Sequence, residues 1–62
     1  MNQQRIYQLK PNLWIDFINI GQCAYIELTG YRTDNTKVTS IFPIDIYTIE
    51  EAINEFEKYL NK

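Results

Sequence analysis

The chain has 62 residues, a formal net charge of −2, one cysteine and no histidine. A chain of this length is expected to form one domain, residues 1–62, that buries only about 60% of its unfolded-state surface. One cysteine excludes an internal disulfide, and without histidine a zinc site is not expected. Oligomerisation or dense packing is therefore expected to supplement the small core.

Four β-strands are predicted in the first part of the chain, from runs of β-branched and aromatic residues separated by turn residues. Gly30, inside the third run, predicts a bulge or a bend. Pro43, in the fourth run, has no N–H for a strand partner and is expected at an edge or an end. The predicted strands are residues 5–9, 13–20, 23–33 and 37–44.

A helix is predicted from Ile49 to Asn61. Thr48 and Glu51 have the spacing of a capping box, in which each side chain satisfies a backbone N–H at the helix start. Apolar residues then recur at steps of three and four, which is typical of one buried stripe. The stripe consists of Ile49, Ala52, Ile53, Phe56, Tyr59 and Leu60. The expected fold is α+β: a four-stranded antiparallel meander (β-β-β-β-α) with one C-terminal amphipathic helix packed on one face.

Strand alternation places apolar side chains on both faces of this sheet. One face carries Leu13, Ile15, Phe17, Ala24, Ile26 and Leu28, and it is the expected seat of the helix. A helix of about 13 residues is roughly 20 Å long and covers only one face of such a sheet. The other face is expected to be mostly polar if it meets water, yet it is rich in aromatic and aliphatic residues.

We therefore expect the second face to be an interface, because an exposed apolar patch of this kind usually marks one. A homodimer is predicted, joined through this face or through an edge strand. The predicted interface residues are Trp14, Asp16, Ile18, Ile20, Tyr25, Glu27, Tyr31 and Ile41.

No enzyme activity, metal or cofactor is expected. Asp16 and Glu27 are predicted to approach each other across neighbouring strands, but paired acids on a sheet face are usually hydrogen-bonding surface residues. Cys23 has no nearby residue that would activate it, and we expect a buried structural thiol.

Single-stranded nucleic-acid binding is the alternative, since Trp14, Tyr25 and Tyr31 could stack bases. The order of a sheet followed by a helix is similar to that of single-stranded DNA-binding modules of the PUR type. Those modules are rich in lysine and arginine, whereas this chain has no basic cluster.

Another protein is the expected partner, and no membrane or small-molecule substrate is indicated. The residues encoded by A/T-rich codons (Phe, Tyr, Met, Ile, Asn and Lys) make up 29 of the 62, as in low-GC genomes. Such an origin suits a cytoplasmic phage or mobile-element protein that inhibits a host antiviral complex. Negative charge on the helix would steer it toward a basic partner surface. The acidic helix residues are Glu50, Glu51, Glu55 and Glu57.

Overall fold

A computed structural model describes residues 6–61, which form one four-stranded sheet and one helix. The strands are antiparallel to their neighbours and lie side by side in chain order, so the predicted meander and its C-terminal helix are confirmed. The elements are β1 (Tyr7–Lys10), β2 (Leu13–Ile20), β3 (Cys23–Tyr31), β4 (Lys37–Pro43) and α1 (Ile49–Leu60).

The element ends differ slightly from the predicted ones. β1 continues to Lys10, while Arg5, the predicted first residue of this strand, lies outside the described residues. β3 ends at Tyr31 rather than Thr33, because the Arg32 N–H donates to the Thr36 carbonyl at 2.9 Å and the hairpin loop begins there.

Two turns use left-handed backbone conformations. Gly21 has φ +63° at the first position of the short turn between β2 and β3, where glycine adopts this angle without steric cost. Asn35 has φ +69° in the β3–β4 loop, and asparagine tolerates the left-handed region better than most residues. In the same loop the Asp34 carboxylate accepts the Thr36 N–H at 3.0 Å. Hydrogen bonding by Thr36 holds the pKa of Asp34 below its ordinary value.

The core lies between α1 and one face of the sheet, which we call the covered face. Four of the six strand residues expected to receive the helix are buried there, and Leu28 is fully buried, as is Phe56 of the helix. The other two expectations are wrong, since Phe17 is 49% exposed and Ala24 is only partly buried. Ile49 and Tyr59 belong to the predicted stripe but remain 46% and 51% exposed, because they lie at its margins. The buried core consists of Leu13, Ile15, Ile26, Leu28, Ala52, Phe56 and Leu60.

The predicted bulge at Gly30 is wrong. β3 pairs with β4 in continuous register through this residue, and the irregular pairing instead falls between Gln8 and Lys10 of β1. A Cβ on Gly30 would lie 2.9 Å from the Asn12 carbonyl oxygen and 2.9 Å from Leu60 Cδ2. Glycine is needed here because the β1–β2 turn and the helix both approach the strand closely.

The helix is capped at its start and is paired near its end with a residue of β1. The predicted capping box is present: Thr48 Oγ1 accepts the Glu51 N–H at 3.1 Å, and Glu51 Oε1 accepts the Thr48 N–H at 3.0 Å. Lys10 Nζ of β1 lies 2.9 Å from Glu57 Oε2.

Among residues 6–61, no helix combines the length and the apolar character needed to cross a membrane.

Candidate protein-interaction face

The face of the sheet opposite α1, which we call the open face, brings together the interface residues predicted from strand alternation. β2 and β3 pair so that Trp14 lies opposite Thr29, Asp16 opposite Glu27 and Ile18 opposite Tyr25. The pairing of β3 with β4 adds further side chains on the same face. Ile41 is paired with Glu27, Thr39 with Thr29 and Lys37 with Tyr31.

Exposure on the open face is graded. Trp14, Ile18 and Tyr25 are half-buried by their neighbours on the sheet. Ile20, Tyr31 and Ile41, nearer its margins, are 54%, 40% and 44% exposed. The helix does not reach this side, so within residues 6–61 these apolar side chains are shielded only by neighbouring side chains of the same face.

An aromatic corner forms where β2 begins and β3 ends. The rings of Trp14 and Tyr31 meet edge to face, with 5.8 Å between centroids and 83° between planes, a favoured aromatic geometry. Because β3 is regular through Gly30, Tyr31 lies on the same face as Thr29. Beside the two rings is an open cleft of about 400 Å³, lined by Ile6, Trp14, Thr29, Tyr31 and Lys37.

The position of Tyr31 is fixed by Asn12, which sequence reasoning missed. Asn12 Nδ2 donates to the Tyr31 carbonyl at 2.6 Å, and Asn12 Oδ1 accepts the Tyr31 N–H at 2.9 Å. The amide side chain thus replaces a strand residue opposite Tyr31. The signal in the sequence is the asparagine directly after Pro11, in the short segment between the first two predicted strands.

Asp16 differs from the rest of the open face, because it is only 6% exposed. Its Oδ1 accepts the backbone N–H of Phe17 at 2.8 Å, while Oδ2 is buried without a hydrogen-bond partner in the described part of the chain. The predicted approach of Asp16 and Glu27 across the strands is confirmed by their pairing. Asp16 nevertheless acts on its own strand, as a cap on a backbone amide.

The acidic helix residues are engaged to different extents. Glu51 belongs to the capping box, and Glu57 is paired with Lys10. Glu55 Oε2 lies 3.6 Å from Lys58 Nζ, but both side chains are largely exposed, and such a surface pair contributes little. Glu50 and Glu55 therefore present most of the unneutralised negative charge of α1 to solvent.

The expectation of a buried thiol is wrong, since Cys23 is exposed at the start of β3. The strand begins there, directly after the Gly21 turn and beyond the cover of the helix. Residues 6–61 contain no group of three or more histidine, cysteine, aspartate or glutamate side chains arranged to hold a metal ion.

A second concave surface, of about 570 Å³, lies between the β3–β4 loop and the end of α1. The Arg32 guanidinium lies there over the Tyr59 ring, 5.4 Å from its centroid, and Arg32 Nη2 donates to the Tyr59 carbonyl at 3.4 Å. A cation at the carboxyl end of a helix is stabilised by its dipole. These contacts give Arg32 a structural role in holding the helix end against the sheet.

Comparison of the chain with protein-family models, curated proteins and solved structures gave no match. The class of molecule is therefore defined by its architecture alone, as a small α+β protein with an antiparallel sheet covered by a helix on one side.

Proposed function

We propose that this chain is a non-catalytic protein-interaction module whose open face binds another protein. The observation that carries the proposal is the cluster of Trp14, Ile18 and Tyr25 on the face that α1 does not cover. Aromatic side chains surrounded by polar ones are typical of the centre of a protein interface, whereas charged residues are depleted there.

The energetics favour this use of the face. A large apolar side chain contributes about 1.5–3 kcal/mol when it passes from full exposure to full burial. Since these side chains are already more than half-buried, each would contribute roughly a third as much on binding, about 0.5–1 kcal/mol. Several together match the few kcal/mol by which a chain of this size is stable.

The broader role that we propose is inhibition of a host antiviral protein complex by a phage or mobile-element protein acting as a homodimer in the host cytoplasm. Its support is the small size, the composition typical of A/T-rich genes and a surface suited to occupying another protein. Glu50 and Glu55, exposed on α1, would favour a partner with a basic rim around an apolar centre.

The test compares Trp14→Glu with Phe17→Glu in affinity capture from a host lysate. Both changes put a carboxylate in place of an aromatic ring on β2, but Trp14 lies on the open face and Phe17, 49% exposed, lies on the opposite side. We expect a protein that is retained by the wild type and by Phe17→Glu to be lost with Trp14→Glu. Equal capture by all three, or no specific capture, would contradict the proposal.

Single-stranded nucleic-acid binding is the second candidate, and the aromatic corner favours it. Trp14 and Tyr31 border a cleft that Lys37 also lines, so one base could stack there while the lysine contacts a phosphate. Trp14 is the only tryptophan in the chain, so its fluorescence reports on this site directly. Saturable quenching by an oligonucleotide at low salt, lost in Lys37→Gln, would favour this function; unchanged fluorescence would exclude stacking on Trp14.

A further inference from the structure

β4 lies at one edge of the sheet, and the hydrogen bonds at its two ends show which of its backbone groups point outward. The Ile44 N–H donates to the Ala24 carbonyl at 3.1 Å, and the Arg32 N–H donates to the Thr36 carbonyl at 2.9 Å. Bonded and non-bonded pairs alternate along an antiparallel ladder, and the register between these two bonds is continuous. The even-numbered residues of β4 therefore bond to β3. The residues with outward backbone groups are Lys37, Thr39, Ile41 and Pro43.

The outward hydrogen-bonding groups are free over only part of the strand. Pro43 has no N–H, and its carbonyl oxygen accepts the N–H groups of Ile46 at 3.2 Å and Tyr47 at 3.0 Å. Lys37, Thr39 and Ile41 are exposed, and no described strand lies beside them. The free edge thus runs from Lys37 to Ile41, with its centre at Thr39.

The opposite edge of the sheet is protected against strand addition. β1 has only four residues and an irregular register, and short, irregular edge strands pair poorly with other chains. Beyond the end of β1, the next strand, β2, forms this edge. The alternation of bonded and non-bonded pairs between β2 and β3 makes the Phe17 N–H point outward there, and Asp16 Oδ1 accepts it at 2.8 Å. Within the described residues, the outward amide of one edge is therefore capped by the chain's own carboxylate, whereas those of β4 are left uncapped.

We propose that a second copy of this chain pairs its β4 with this edge, antiparallel, about a two-fold axis at Thr39. This register pairs Thr39 with the partner's Thr39 and Lys37 with the partner's Ile41. It uses all of the free N–H and carbonyl groups, in about six backbone hydrogen bonds. A register centred on Ser40 would place Lys37 opposite the partner's Pro43, whose carbonyl is already occupied, and would lose bonds at both ends.

A second copy fits this edge because it supplies a strand of the same length whose charges do not oppose those of the first. Lys37 is the only charged residue of β4, and in the proposed register it meets an isoleucine rather than another lysine. On the open face Thr39 Oγ1 already lies 3.4 Å from Thr29 Oγ1. The two-fold axis would extend this pair into a row of threonine hydroxyls across the line where the two β4 strands meet, which we call the seam. Threonine pairs on neighbouring strands are a favourable combination.

The helix side of the seam offers apolar surface as well. A groove of about 280 Å³ runs between the β4 edge and α1, lined by Ser40, Ile41, Phe42, Tyr47, Glu55 and Tyr59. Tyr59 is 51% exposed there. Edge pairing would bring the corresponding groove of the partner alongside, so that aromatic side chains of both copies lose contact with water. The open faces of both copies would remain accessible, so this dimer specifies the homodimer of the proposed function but does not depend on binding at the open face.

A matched pair of charge variants at Ile41 tests the register. In Ile41→Glu the new carboxylate faces the partner's Lys37, while in Ile41→Lys two ammonium groups face each other, and the loss of apolar surface is similar. With two such pairs per dimer, we expect Ile41→Glu to dimerise at least about tenfold more tightly than Ile41→Lys in sedimentation equilibrium at low salt. Added salt should reduce the difference. Equal dissociation constants would overturn the proposal.

Residue-resolved hydrogen exchange tests the seam without any substitution. We expect the amides of Lys37, Thr39 and Ile41 to become protected as the protein concentration rises through the dissociation constant. Those of Val38 and Ser40, which bond to β3, should be protected at every concentration. A dimer in which the odd-numbered amides still exchange freely, or a wild-type chain that stays monomeric up to about millimolar concentration, would overturn the proposal. Trp14→Glu should leave this dimerisation unchanged, which separates it from binding at the open face.

Discussion

Ile15 and Ile20 lie on the same strand and have the same side chain, yet they are 4% and 54% exposed. Ile15 points to the covered face, where α1 and the neighbouring strands enclose it. Ile20 points to the open face, where no second layer of residues 6–61 lies above it. The comparison shows that, within residues 6–61, the fold covers one apolar surface of the sheet and leaves the other exposed.

The two faces also differ in how their residues are packed. The core between α1 and the covered face has aliphatic residues and one phenylalanine, Phe56 of α1, at close to zero exposure, so each contributes its full burial to stability. The open face has aromatic, aliphatic and polar residues at intermediate or higher exposure, so part of their apolar surface still meets water. Substitutions on the covered face should therefore alter stability, and those on the open face should alter binding.

Phe56→Ala should have the largest effect on stability. Phe56 is fully buried between α1 and the sheet, and truncating a buried phenylalanine costs about 3–5 kcal/mol. That is most of the roughly 3–9 kcal/mol expected for a chain of this length. Phe17→Ala is the matched control, because Phe17 is 49% exposed and its truncation should lower the free energy of unfolding by only about 1 kcal/mol. Urea denaturation measures both variants. Equal losses in the two variants would contradict the assignment of the core.

Gly30→Ala should have the next largest effect, because it tests how closely the layers of the covered face approach each other. The added methyl group would lie 2.9 Å from the backbone oxygen of Asn12, which cannot move aside without shifting the β1–β2 turn. Overpacking of this kind costs about 1–3 kcal/mol. In Gly21→Asn the new side chain meets open space at φ +63°, a backbone angle that asparagine tolerates. Thermal denaturation measures both variants. If Gly30→Ala lowers the melting temperature no more than Gly21→Asn does, the β1–β2 turn moves aside easily and the close approach does not require glycine.

The strand and helix pattern could be predicted from the sequence because it depends on local periodicity. Alternation separates Trp14 from Leu13 and Ile15, and the Thr48 capping box marks the helix start. Neither signal requires knowledge of distant residues. Each predicted interface residue consequently lies on the open face.

The burial of individual residues depends on which elements pack on one another, and the alternation of residues along a strand does not contain this information. Phe17 has the same parity as Leu13 and Ile15, but α1 packs on β3 and β4, so Phe17 stays exposed. Gly30 was interpreted as a bulge because the helix and turn that crowd it are distant in sequence. Asp16 was expected to be an ordinary interface residue, whereas its carboxylate caps a β2 amide beyond the end of a short β1.

Ile20→Thr should have the smallest effect on stability and tests the open face most directly. The side chain keeps its β-branched shape and is already 54% exposed, so the free energy of unfolding should change by no more than about 0.5 kcal/mol. Ile15→Thr makes the same change at 4% exposure and buries a hydroxyl group, which should cost about 2 kcal/mol or more. Urea denaturation of both variants at micromolar concentration measures the difference. A comparable loss in Ile20→Thr would mean that the open face is already covered under those conditions, and the proposed binding surface would then belong to an assembly rather than to the free chain.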